Sequence, residues 1–430
     1  MTSPNLNPNP NVKPSTLRIF LSKRMLVCVS LGFASGLPLF IIYNLLSAWL
    51  RANGVDLKAI GLFALVGFPY TWKFVWSPLM DRFSIPGVAA LGRRRSWMLV
   101  TQILLAIVIV AVGQFDPKTQ LSVVVALVAT LAFLSASQDI VVDAYRREYL
   151  PEAQQGSGTA IFVNAYKLST LVPGSLSLIL SDHLPWSTVF FITAIFMVPG
   201  IITTLIVAEP TTQGTRPKNL REAVVLPFRE FMERRGWQHA MLILLFIFLY
   251  KLGDSMATAL ATPFYIDLGF TRTQIGLVAK NAGLWASLAG GILGAIWLER
   301  TGVNRGLWVF GVLQLVAILG FAVLAKAGLN LWVLGWVIGA EAFAVGLGTA
   351  AFTAYIAQTT DPRYTATQFA LFTSLAAVPR TFINASTGFI VAETGWFNFF
   401  LICFVLGIPG MLLLPKIAPW RSTTTSAAAT

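Results

Sequence analysis

Gln238–Pro263, QHAMLILLFIFLYKLGDSMATALATP, is an unbroken apolar run that carries Lys251 and Asp254 near its middle. Coiled as an α-helix rising about 1.5 Å per residue, such a run crosses the ~30 Å hydrocarbon of a bilayer. A basic side chain at that depth costs about 2.5–3.5 kcal/mol on insertion scales. Lys251 is not isolated: Lys73, Lys167, Lys280 and Arg380 also fall inside apolar stretches, accompanied by Asp139, Asp143, Asp254 and Glu341. Five such cations facing lipid would cost roughly 13–18 kcal/mol, so they are expected to turn inward and line a shared wet cavity. A cavity whose fixed cations slightly outnumber its acids suits an anionic passenger.

The rest of the chain agrees. Its 430 residues are 56% hydrophobic and only 11% charged, too few charges for the surface of a soluble domain of this size. Twelve stretches read as membrane-spanning helices, which makes the fold class an all-α membrane protein. The first six are Met25–Leu50, Ala59–Leu79, Trp97–Gln114, Ser122–Tyr145, Ser157–Leu180 and Ser187–Ala208. After a polar break come Gln238–Pro263, Gln274–Leu298, Gly306–Ala325, Leu331–Gln358, Ala366–Val391 and Trp396–Pro415.

Lys and Arg between the spans set the expected orientation. Alternate segments, counted with both termini inside, hold 21 of the 31 basic residues, and the opposite segments hold 5. This predicts an N-in, C-in chain. The net charge of +13 then reports topology and contact with anionic lipid headgroups, so no nucleic-acid partner is needed to explain it. Residues 1–24 read as a disordered cytoplasmic tail. The apolar run behind them is too long for a signal-peptide core and is expected to stay as the first span. The only cysteines, Cys28 and Cys403, sit within spans and read as small buried hydrophobes.

The chain reads as built twice. Residues 25–208 form an N-terminal bundle of six helices, and 238–415 form a C-terminal one. They are joined by a cytoplasmic linker, 209–237, and followed by a tail, 416–430. Within the linker, Asn219–Arg235 (NLREAVVLPFREFMERR) reads as an amphipathic helix lying at the interface. Ile60-Gly61-Leu62 opens the second span, and Ile275-Gly276-Leu277 opens the eighth. Parallel six-helix halves are the arrangement of major facilitator transporters, which hold substrate near the midplane and rock one bundle against the other. The loop Asp81-Arg82…Gly92-Arg93-Arg94-Arg95 resembles that superfamily's acid–basic–Gly–basic loop motif, stretched by an insert. The resemblance implies a cytoplasmic gate, to which Arg146 is added.

Asp139 and Asp143 lie four apart in SQDIVVDAYR, on one face of the fourth span. Desolvation and like-charge proximity both favour a carboxyl that takes up and releases a proton, so both are candidate proton-coupling groups. Asp143, nearer the interface, has a second reading as a gate residue bonded to Arg93–Arg95 or to Arg146. Substrate-binding candidates are Lys73, Lys167, Lys251, Lys280 and Arg380, with Asp254, Glu341, Gln138, Asn164, Tyr43 and Trp285. Lys251 and Asp254, three apart on one helix face, are also placed to neutralise each other, and Glu341 to pair with Arg380. No Gly-Lys pair exists in the chain, so no Walker A loop does, and ATP drive would need another subunit.

Several stretches resemble the AmpG-type muropeptide permeases of bacterial inner membranes. They are GFASGLPL (Gly32–Leu39), GFPYTWKFVWSPLMDR (Gly67–Arg82), LGRRRSW (Leu91–Trp97), SQDIVVDAYRREYL (Ser137–Leu150) and YKLGDS (Tyr250–Ser255), with Thr262–Gly276 beyond them. The resemblance implies proton-driven import of N-acetylglucosaminyl-1,6-anhydro-N-acetylmuramic acid, with or without its stem peptide. It also implies roles in cell-wall recycling and β-lactamase induction, with no cofactor or metal, no ATPase subunit and a monomeric carrier. Some members of that family carry further hydrophobic segments after the stretch matching the twelfth span. The rival within transport is a permease for another anionic solute, such as a ferric siderophore or acyl-CoA. A polytopic enzyme fits poorly: the two histidines, His183 and His239, lie near span ends, and no loop is long enough for a catalytic domain.

Overall fold

The computed structural model describes residues 22–151, 154–210, 226–359, 372 and 374–420. The tail before residue 22, the linker 211–225 with the first part of the expected amphipathic helix, and the tail after 420 lie outside the described residues. So do the side chains of Asp81, Arg82 and Arg380.

Within the described residues the chain is helical throughout. The N-terminal half holds α1 (Lys23–Ala52), α2 (57–82), α3 (Arg93–Val112), α4 (Leu121–Tyr149), α5 (155–181) and α6 (Trp186–Ile206). A short helix, Leu226–Arg235, realises the end of the expected linker helix, with ion pairs Arg229–Glu233 and Arg234–Glu230 one turn apart. The C-terminal half holds α7 (Trp237–Asp267), α8 (272–301), α9 (Val303–Ala327), α10 (Leu331–Thr359), α11 (374–394) and α12 (396–412). α11 and α12 run into one another across Gly395, whose φ of 74° breaks the helix.

Among the described residues, nine stretches are long and apolar enough to cross a membrane by length and composition, counting 374–417 as one. α2 and α5 fall short because their backbones are interrupted. In α2, Pro69 and Pro78 remove ladder donors and the helix tightens into 3₁₀ turns at Phe63–Gly67 and Lys73–Val75. In α5, Pro173 sits in a π-helical turn, Val172–Leu176. Such breaks are tolerated at membrane depth only where neighbouring helices re-satisfy the backbone.

The packing shows how the halves meet. One apolar cluster draws on both, from Leu46, Trp49 and Phe190 on one side to Phe264, Ile275 and Phe399 on the other. Two further clusters each stay within one half. The first gathers Met25, Met98 and Tyr145; the second gathers Phe246, Phe310 and Phe372. Among the described residues the halves therefore share a core at the end marked by Arg51, Asp182 and Asp267, and no apolar cluster joins them at the end marked by Arg94, Glu148 and Thr359. The first is the closed end; toward the second, the open end, Asp143 is half-exposed.

Candidate functional site

Charged residues from opposite halves close the shared end. Arg51 Nε of α1 lies 2.5 Å from Asp267 Oδ1 of α7, and Trp396 Nε1 donates to the other carboxylate oxygen at 3.0 Å. Asp182, just past α5, accepts from Arg272 Nε at 2.6 Å, from the Thr273 backbone N–H at 2.6 Å and from its hydroxyl at 2.7 Å. Burial pushes the Asp182 carboxyl up, but the hydrogen bonds from Thr273 and Arg272 outweigh it and hold the group below its ordinary range. An exposed pair, Lys58–Glu393, adds a longer contact of 3.6 Å.

One turn inward, the repeated Ile-Gly-Leu triplets touch the opposite half. A Cβ at Gly61 would stand 2.8 Å from the Gly388 nitrogen of α11. A Cβ at Gly276 would stand 2.8 Å from the Ser175 carbonyl of α5. Only glycine allows backbones this close, so the repeat seen in the sequence is a repeated contact between halves. Ser175 Oγ seals the second contact by donating to the Gly276 carbonyl at 2.8 Å.

Above this seal lies a cavity of about 690 Å³ between the halves, within the usual size range of ligand sites. Its walls come from α1, α2, α4 and α5 on one side and from α7 and α11 on the other. Leu46, Leu50, Ile60 and Leu260 make an apolar floor, and the charges Asp139, Asp143, Arg146 and Lys167 all stand on the N-terminal wall. Asn384 and Ser255 face them from the C-terminal wall, with Ser255 held by hydrogen bonds from the Asn384 amide at 3.1 Å.

Each charge has a defined setting. Asp139 accepts a hydrogen bond from Ser35 of α1, and Lys73 and Asp143 act on it through their charges. Asp143 pairs with Arg146 at 3.2 Å, one helical turn away, and its side chain is 51% exposed at the open mouth. Arg146 in turn lies 4.7 Å from the centre of the Phe162 ring. Lys167 has no carboxylate within ion-pair distance among the described residues, and is thus an uncompensated cation on the wall.

The expectation of one vestibule shared by all the intramembrane charges is corrected. Lys251, Asp254 and Glu341 are not part of the cavity lining and gather within the C-terminal half instead. Lys251 Nζ donates to Gln314 at 3.0 Å and Thr349 at 3.2 Å, and lies 3.8 Å from Asp254. Glu341, only 7% exposed, stands beside Asp254 rather than in a free position. Lys280 is half-buried toward the closed end, outside the lining, bonded to Asn44 and Thr262. Trp285 is 58% exposed and Asn164 is exposed, both outside the lining, whereas Tyr43 belongs to it. Gln138 is fully buried with neither end of its amide hydrogen-bonded.

Among the described residues, the Arg93–Arg95 cluster has partners in its own half. Arg94 Nη2 lies 2.7 Å from Glu148 Oε1, with Arg93 3.9 Å from the same oxygen. Glu209 caps the start of α3, accepting the backbone N–H groups of Arg94 at 2.7 Å and Arg95 at 3.0 Å, where the helix dipole favours a carboxylate. Asp143 is bonded to Arg146, one of the two partners expected for it as a gate residue. Sequence reasoning missed Glu148, Glu209 and the Arg51, Asp182, Asp267 and Arg272 set. The signal for the latter was present: opposite charges flank the fifth, seventh and eighth spans on the Lys/Arg-poor side.

Residues 25–382 match the family model described as Major Facilitator Superfamily. The chain belongs to the Major Facilitator Superfamily. Within this superfamily it is 43% identical over 400 residues to the anhydromuropeptide permease of Escherichia coli K12, covering 93% of this chain and 80% of that one. An uncharacterized protein of Haemophilus influenzae is 44% identical over 409 residues, covering 93% and 96% respectively. These matches place it with the AmpG-type transporters. Among solved structures, the nucleoside transporter NupG superposes with a TM-score of 0.71 at 12% identity, covering 92% of this chain and 99% of that one. The peptide transporter PepTSo gives 0.71 at 10% identity, covering 92% and 97%. At such identities they establish the major facilitator fold alone.

Proposed function

We propose that this member of the Major Facilitator Superfamily is a proton-driven importer of anhydro-muropeptides at the bacterial inner membrane. In this reading the chain crosses the membrane twelve times with both termini cytoplasmic, so the open mouth beside Asp143 faces the cytoplasm. The observation that carries the substrate is Lys167 on a cavity wall, with no carboxylate within ion-pair distance among the described residues, in a chain 43% identical to an anhydromuropeptide permease.

The cavity chemistry supports the reading. An anhydro-muropeptide bears carboxylates on its lactyl and peptide parts and hydroxyls and acetamido groups on its sugars. Lys167, and Arg146 once released from Asp143, take carboxylates by charge-assisted hydrogen bonds. Tyr43, Asn44 and Asn384 offer neutral donors and acceptors to the sugars. Asp139 is the group we assign to the proton: it sits inside the lining, tied to the first helix through Ser35, with Lys73 to compensate it when ionised. Protonation would release that charge pairing and let the N-terminal half rock. No step needs a cofactor or an ATPase.

Purified protein in proteoliposomes, offered radiolabelled anhydro-disaccharide tripeptide with and without an inward proton gradient, tests the assignment. Gradient-dependent accumulation supports it. Absent uptake of this compound, with uptake of a ferric siderophore or acyl-CoA instead, overturns the substrate.

A further inference from the structure

Lys280 stands apart from every other charge in the membrane-depth region. It closes a π-helical turn of α8, Ile275–Lys280. Its Nζ donates to Asn44 Oδ1 of α1 and to Thr262 Oγ1 of α7, both at 2.9 Å. Asn44 lies within a second π-helical turn, Ile41–Leu46, and donates its amide to Thr170 Oγ1 of α5 at 3.1 Å. A third π-helical turn, Val172–Leu176, places Gly174 beside the Lys280 stem, where an added Cβ would be in ordinary contact at 3.5 Å. Single π turns are rare and gather at functional sites. Here three of them converge on one ammonium.

The ammonium has no acid. Among the described residues no carboxylate lies within ion-pair distance of Lys280, and both of its partners are neutral oxygens. A Lys at this depth with no counter-ion among the described residues is the kind of intramembrane group that marks a ligand path. Yet Lys280 is absent from the cavity lining, although Asn44 belongs to it. The Asn44–Lys280 bond joins the two halves, so it exists only while the closed end is closed.

We infer that Lys280 is a carboxylate site presented only when that end opens. This rests on the proposed function and adds a direction to it. On opening, α1 carries Asn44 away from α8 and leaves the ammonium facing the entering solute. A carboxylate of the substrate then takes the place of the Asn44 oxygen. On reclosure, Asn44 and Thr262 reclaim all the hydrogen bonding, and the substrate is handed to the cavity, where Lys167 stands. The exchange of a neutral amide for a carboxylate makes binding strong on the entry side and weak on the release side.

The test uses the full-length protein in oriented vesicles, with anhydro-disaccharide tripeptide and the same compound with its carboxylates amidated. Lys280→Gln is expected to raise the entry-side KM for the charged compound by about tenfold to a hundredfold, the range of a charge-assisted hydrogen bond. KM measured from the cavity side, and for the amidated compound, should stay within about twofold of the parent. Lys280→Arg should recover part of the loss. Equal rises on both sides, equal rises for both compounds, or an unchanged entry-side KM would each overturn the inference. Should Lys280→Gln fail to reach the membrane, Asn44→Asp decides: it gives Lys280 a permanent acid and is expected to slow entry, and entry at the parental rate and KM would contradict the site. Parental protein that takes up neither compound refutes the substrate reading itself, a distinct outcome.

Discussion

Gly61 of α2 and Gly388 of α11 pack so closely that a Cβ on Gly61 would lie 2.8 Å from the Gly388 nitrogen. The pseudo-equivalent contact of Gly276 with Ser175 has the same 2.8 Å spacing. Both are close backbone approaches between the halves, and a side chain at either glycine must hold the closed end ajar. Gly61→Ala and Gly276→Ala are therefore expected to leave the cavity reachable from that end. Labelling of an introduced cysteine at Ala259, a lining residue, by a membrane-impermeant maleimide checks this. Gly291→Ala, where nothing lies within 4 Å of an added Cβ, is the control and should label as the parent does.

The Arg51–Asp267 pair holds the same end by charge. With side chains 26% and 17% exposed, it lies between a surface ion pair and a buried one. Its removal should shift the closing equilibrium by about 1–2 kcal/mol, or roughly five- to thirtyfold. Arg51→Ala and Asp267→Ala should each raise entry-side labelling, and the exchanged pair Arg51→Asp with Asp267→Arg should lower it again. Labelling unchanged in both single variants would show that the pair does not contribute.

Asp182 gives a pH dependence. Its carboxyl is held below the ordinary value of 3.8 by its bonds to Thr273 and Arg272. A depressed folded-state pKa stabilises the ionised form, so the contribution is complete above about 4 and fades as pH falls through the lowered value. The difference in thermal midpoint between the parent and Asp182→Asn should be largest near pH 7 and shrink below about pH 4. A difference independent of pH would assign the loss to packing.

At the open end, Arg94 is only 5% exposed and depends on Glu148. Glu148→Gln leaves a buried guanidinium with a neutral partner and should destabilise the N-terminal half by about 2–3 kcal/mol. Glu209→Gln removes a helix-capping charge and should cost about 0.5–2 kcal/mol. Thermal unfolding of each variant in detergent gives the ranking, and equal effects would contradict it.

The sequence carried the architecture well because membrane architecture is written in composition. Apolar runs must be about 20 residues long to cross, and an intramembrane charge stands out against them. The Ile60-Gly61-Leu62 triplet and its copy were visible, although their meaning as contacts was not: a triplet says nothing about which helix lies opposite. Asp139, Asp143, Lys167 and Tyr43 reached the cavity as their depth suggested. Lys251, Asp254 and Glu341 did not, because depth fixes height in the bilayer and leaves the direction around the helix open. On α7 that direction is reset at Lys251 itself, where φ of −102° and ψ of 2° interrupt the helix. The ion pairs at the closed end were missed because a charge at a span end reads first as an interfacial anchor.

Proton-coupled passage through the cavity is tested most directly by uptake of radiolabelled anhydro-muropeptide in vesicles under an imposed inward proton gradient, comparing the parent with Asp139→Asn. The account predicts accumulation above equilibrium in the parent, and only counterflow exchange at equal pH in the variant. Accumulation by Asp139→Asn at the parental level, or none by a correctly inserted parent, would contradict it.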